Sequence, residues 1–86
     1  MSGERLSVVD GLDVNEVKDG LIVYVPDRDR VHYLNGTAAV VFLFCDGTND
    51  ADDIAGLVAK AYGLDEAPSD EVAECVAQLR NEGLVR

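Results

Sequence analysis

Basic residues, cysteine, proline, tryptophan and histidine are all scarce in this chain, and each shortage removes a class of function. Seven lysines and arginines stand against 17 aspartates and glutamates, a net charge of −10. Such a field repels phosphate backbones and anionic lipid headgroups, so neither nucleic acid nor a membrane surface is expected as a partner. Two cysteines are too few for the disulfide framework of a small secreted domain, and Cys45 and Cys75 each sit among apolar residues at helical spacing, as reduced core residues do. One histidine, His32, with two distant cysteines and no C-x-x-C or H-x-x-x-H spacing, supplies no metal set. The longest apolar run, Ala38 to Cys45, is far short of the roughly 20 residues of a membrane span, and Met1 to Asp10 lacks a basic-then-apolar signal pattern. A cytoplasmic location is the expectation.

Catalytic signatures are missing too. No G-x-x-x-x-G-K loop cradles a phosphate, and no Gly-flanked serine or cysteine elbow accompanies His32, which falls in a strand-like segment. The acidic cluster Asp46, Asp50, Asp52 and Asp53 lacks the alternate oxygens and closing glutamate of a calcium loop; helix capping accounts for it. The chain is therefore read as a non-enzyme with no catalytic residues, no metal and no cofactor.

What is present is enough apolar residue to fold. Hydrophobic residues make up 48% of the 86 positions, too many for an acidic disordered tail. A single domain over residues 1–86 follows, with a loose lead over 1–11 and a core over 12–86. From Leu12 to Lys18 there is weak period-2 alternation; Asp19-Gly20 reads as a hairpin turn, and Leu21 to Val25 is β-branched and aromatic. Pro26 to Arg30 carries turn chemistry, and Val31 to Leu34 reads as a third strand.

Beyond Asn35 the period becomes 3.6. Asn35 or Thr37 caps a helix that is apolar on most faces and ends at Asp46-Gly47. Asp50 and Asp53 form an acidic capping box ahead of Ile54, Leu57, Val58, Ala61 and Tyr62, and Gly63 stops that helix. Gly56 inside it suggests close backbone packing. A third helix opens at Pro68 or Ser69, carries the stripe Val72, Cys75, Val76, Leu79, and ends at Gly83, after which Leu84 returns to the core. The prediction is an α+β fold, a three-stranded antiparallel sheet followed by three helices, βββααα.

An interaction module fits these residues best. A meander has two edges, and the Val31 to Leu34 edge carries no proline or lysine guard, so an incoming peptide strand has backbone groups to pair with. The same residues also describe an ordinary edge protected by its shortness and the net charge. An acyl carrier is a further alternative for so acidic a chain, but its only arm-bearing candidate, Ser69 in Pro68-Ser69-Asp70, has the wrong neighbours.

Tyr33-Leu34-Asn35-Gly36-Thr37-Ala38, then Cys45-Asp46-Gly47, Asp53-Ile54-Ala55, Glu71-Val72, Leu79 and Gly83-Leu84-Val85 together give the chain a family resemblance. Over roughly Asp13 to Arg86 it resembles the PqqD family, the peptide chaperones also called RiPP recognition elements. It departs from the family at Gly36, where proline or glutamate is frequent, and at Cys75, where a larger apolar residue such as phenylalanine is frequent. The resemblance implies a winged helix-turn-helix-like fold that binds the leader segment of a precursor peptide as an added antiparallel strand, beside the third strand and against the third helix. It also implies a partner enzyme such as a radical SAM protein, a protease or a cyclase. Carried onto this chain, Val31, His32, Tyr33 and Leu34 pair with the peptide; an open edge also leaves monomer or weak homodimer as the expected state. An alternative is a winged-helix interaction domain of another pathway.

Spacing divides the third helix into two flanks around its core stripe, which includes Val76. One flank carries Ala73, Ala77 and Arg80, the other Glu71, Gln78 and Glu82. The small side chains make the first flank, together with Val76 beside it, the expected peptide-binding groove wall, with Arg80 at the rim pairing an acidic leader group, helped by Arg28 or Arg30.

Overall fold

The computed structural model describes residues 5–86, and the order of elements is three strands followed by three helices. β1 (Asp13–Val17), β2 (Gly20–Val25) and β3 (Arg30–Asn35) form an antiparallel meander in the order β1-β2-β3. Along β2 the pleat buries Leu21, Val23 and Val25 and leaves Ile22 and Tyr24 on the outer face. A sheet of this kind does not belong in a four-helix acyl carrier.

The first turn differs from expectation. Val17 pairs with Gly20, so Lys18-Asp19 occupies the turn and Gly20 is the first residue of β2. Glycine is needed there for space: a Cβ at Gly20 would run into the Leu34 carbonyl oxygen of β3. The second turn is a single 3-10 turn, Pro26–Arg28, closed by Asp29 in the left-handed region at φ 49°. Aspartate tolerates that conformation, and the Tyr24 hydroxyl donates to Asp29 Oδ1 at 3.0 Å, which holds the Tyr24 hydroxyl pKa above its ordinary value.

The caps are local and form as read. Asn35 accepts from the Ala38 amide at 3.0 Å to start α1 (Gly36–Phe44). Asp50 and Asp53 exchange bonds as a capping box at the head of α2 (Ala51–Tyr62), and Gly63 ends it in the left-handed region. α3 (Ser69–Asn81) starts after Pro68 and is followed by Gly83 at φ 77°. The three helices close over the inner face of β2, with Val23, Val41, Ile54, Val72 and Leu84 at or near zero exposure. Gly56 has nothing within 4 Å of where a Cβ would stand, so the close packing expected there is absent and α2 simply carries a glycine.

Within the described residues the lead is not loose. Leu6 is 2% exposed. Its amide donates to the Asn49 carbonyl at 2.8 Å and its carbonyl accepts from Gly47, also at 2.8 Å. Val8 donates to Cys45, Val9 to Leu84, and Arg86 returns a bond to Ser7. Residues 6–9 thus tie the α1–α2 turn to the C-terminal segment, and residues 1–4 of the expected lead lie outside the described residues. Alternation at Leu6-Ser7-Val8 was the sequence signal for this, too short to separate from chance.

Candidate functional site

β3 pairs with β2 along its whole length, Gly20↔Asn35 to Val25↔Arg30. Among the described residues no strand pairs with its other side; the lead makes its bridges at Asp46 and Val85 instead. That leaves a row of backbone donors and acceptors unmet by protein partners. Alternation sorts the side chains of this strand. His32, with its side chain 15% exposed, and Leu34, 4% exposed, turn toward the helices, whereas Val31 and Tyr33 stand on the outer face at 63% and 58%.

Beside this edge runs a cleft between β3, the start of α1 and one flank of α3. At its centre Leu34, Ala38, Cys75, Gln78 and Leu79 form an apolar notch with a polar lip. The cleft continues past Asn35 and Thr37 toward Glu71 and Glu74, and at its other end reaches Glu82. Glu82 lies 3.7 Å from His32 Nδ1.

The helix wall is therefore not the one expected. Ala73, Ala77 and Arg80 are exposed on the opposite flank of α3 and line no part of the cleft, and Val76 is buried in the core beneath it. Cys75 sits at the margin of the core stripe rather than its centre: it is half-buried, and the stripe centres on Val72, Val76 and Leu79. With the centre placed there, a 100° step per residue puts Cys75, Gln78 and Glu82 on one side and Ala73, Ala77 and Arg80 on the other. The sheet lies on the Cys75 side. Arg28, expected as a helper of Arg80, is exposed and carries its guanidinium over Gly83, 3.0 Å from where a Cβ of that residue would stand and beside the residue that follows Glu82 at the end of the cleft.

Electrostatically the cleft wall is acidic and unreactive. Burial raises the Cys75 thiol pKa first, and the Glu82 carboxylate adds to it. Cys45, buried beneath, is pushed up to about 11 by desolvation and then by Cys75 and Asp46. Two protonated thiols and one histidine do not make a nucleophile and base, and among the described residues no group of three or more His, Cys, Asp or Glu is placed to hold a metal ion. What the arrangement offers chemically is backbone pairing beside a shaped cleft.

Comparison with known proteins bears on the family and the fold. The family described as coenzyme PQQ synthesis protein D (PqqD) matches residues 20–85. No curated protein sequence matches the chain. Among solved structures, "TbiB1 in Complex with the TbiA(beta) Leader Peptide" superposes with a TM-score of 0.79 at 11% identity, covering 93% of this chain and 94% of that one. The two chains share a fold. No helix among the described residues is long and apolar enough to cross a membrane.

Proposed function

This chain belongs to the PqqD family, and from that premise we propose that it is a non-catalytic peptide chaperone that takes the leader segment of a ribosomally made precursor as a fourth strand beside β3. The observation that carries the reading is the unpaired edge of β3 standing alongside a cleft that reaches the core. Main-chain bonds along Val31, His32, Tyr33 and Leu34 supply affinity, and alternate side chains of the peptide enter the cleft against α3. That the similarly folded TbiB1 was solved with a leader peptide supports the same occupant here.

Binding by strand addition has a simple consequence. Ordering a flexible leader costs roughly 2 to 5 kcal/mol, which sets the expected Kd between micromolar and tens of nanomolar. The held leader then keeps the adjoining core peptide at high effective concentration near a modifying enzyme, so rate is gained without any catalytic group on this chain. Radical SAM proteins, proteases and cyclases are the enzymes this role would serve, from the cytoplasm, with the chaperone as monomer or weak homodimer.

The test is calorimetric titration of the full chain with the leader of a precursor encoded beside its gene, followed by amide hydrogen exchange. Sub-micromolar to micromolar binding with new protection on the β3 amides that face away from β2 is expected. Binding that protects other segments only, or no binding, sinks the reading. A second reading, a winged-helix domain that docks a folded protein, draws on exposed Val31 and Tyr33 on the outer sheet face; protection would then map to that face.

A further inference from the structure

The cleft has a charge pattern that helix stability does not explain. Carboxylates are stabilising in the first turn of a helix and unfavourable near its C-terminus, where the carbonyl ends are already negative. Asp70 and Glu71 are in the first turn of α3 and are accounted for in that way. Glu74 is beyond that turn, and Glu82 stands at the C-cap position, against the dipole. Both line the cleft, one on each side of the notch formed by Leu34, Ala38 and Cys75; no lysine or arginine is among the described residues that line it, and the basic groups at its Glu82 end are His32, with Nδ1 3.7 Å from that carboxylate, and the Arg28 guanidinium over the neighbouring Gly83.

Their separation suits an extended chain. Eight residues of helix place Glu74 and Glu82 about 12 Å apart along α3 and about 80° apart around it, with Glu74 nearer the solvent face, from where its side chain still lines the cleft. In a strand, side chains that share a face recur every two residues, so positions i and i+4 are about 13 Å apart with i+2 midway. A strand lying between β3 and α3 therefore brings three successive cleft-facing side chains opposite Glu74, the notch and Glu82.

We infer that the peptide accepted here carries a basic–apolar–basic pattern at i, i+2 and i+4: lysine or arginine facing Glu74 and Glu82, with an apolar side chain in the notch between them. The inference rests on the proposed strand addition and reverses the sign of the leader charge expected from sequence, because the acidic flank of α3 forms the wall. The notch has no bulky side chain from Cys75 or Ala38 to fill it, so a leucine-sized residue has room at i+2. Long-range attraction between a cationic peptide and a chain of net charge −10 also favours fast, salt-sensitive association.

A phage-displayed library with seven randomised residues, selected on the full chain at low salt, tests this directly. Selected peptides are re-measured against Glu74→Gln/Glu82→Gln and, as a control for net charge, Asp65→Asn/Glu66→Gln, which removes two carboxylates from the α2–α3 loop. All four positions are at least partly exposed, so unchanged melting curves are expected. Enrichment of the i, i+2, i+4 pattern, with affinity falling about five- to tenfold on the cleft variant and less than twofold on the control, supports the inference. Selected peptides that protect the β3 edge amides but show no basic enrichment, or lose affinity equally on both variants, overturn the charge pattern and leave strand addition standing. Selected peptides that protect no β3 amide, or a library that yields no binder, overturn strand addition and this inference with it.

Discussion

The thiol of Cys75 reports on its surroundings at the level of a single residue. Burial is the larger cause of its raised pKa and the Glu82 carboxylate the second, so at neutral pH the fraction present as nucleophilic thiolate is small. Glu82→Gln removes the second cause; the pKa falls, the thiolate fraction rises, and iodoacetamide labelling of Cys75 at pH 7 to 8 is expected to speed up. An unchanged rate would show that Glu82 does not act on the thiol. Cys45, held at about 11 and 1% exposed, is expected to stay unlabelled in the folded chain. Bound peptide should slow Cys75 further, since that side chain lines the cleft. Gly56 gives a second residue-scale prediction. It lies inside α2 with open space around its missing Cβ, so Gly56→Ala is expected to add about 0.5 to 1 kcal/mol of stability in urea unfolding, by restricting the unfolded chain and raising helix propensity.

α3 carries the clearest test at the scale of an element. Its two flanks predict opposite outcomes: Gln78→Trp fills the cleft and is expected to weaken peptide binding at least tenfold, whereas Ala77→Glu, on the far flank, is expected to change it less than twofold. Both positions are exposed, so both variants should fold, and titration of either by fluorescence anisotropy decides between the walls. The reverse result would return the groove to the alanine flank. The cores of these elements were legible because their signals are local: Asn35 and Asp50 as caps, Gly63 and Gly83 as left-handed stops, and the alternation of Leu21, Val23 and Val25 are all decided within a few residues. The wall residues Cys75, Gln78 and Glu82 follow a 3–4 spacing along one line of the helix. That spacing identifies a flank without naming what faces it.

For the whole molecule, the packed lead is the feature with the largest consequence. Leu6 lies beneath the α1–α2 turn, and residues 6–9 bond both to that turn and to the C-terminal segment, so one short stretch clasps together parts far apart in sequence. Leu6→Ala is expected to cost about 2 to 5 kcal/mol. A domain of this length has roughly 4 to 13 kcal/mol in all, so a fall of several degrees or more in Tm, read by circular dichroism, is the expected outcome; a melting curve like that of the parent chain would show that the lead contributes little. By itself the sequence determined the elements, their order and their caps, because each depends on interactions within one or two turns or a strand pair; the buried stripes came out only in part, since the stripe expected on α2 ran on to Ala61 and Tyr62, which are exposed, and omitted the buried Ala55. Only tertiary structure decided which flank of α3 meets β3, and hence whether the cleft is walled by alanines or by carboxylates. Helical periodicity fixes angles between side chains around an axis, but the rotation of that axis against the sheet is set by how the whole core packs.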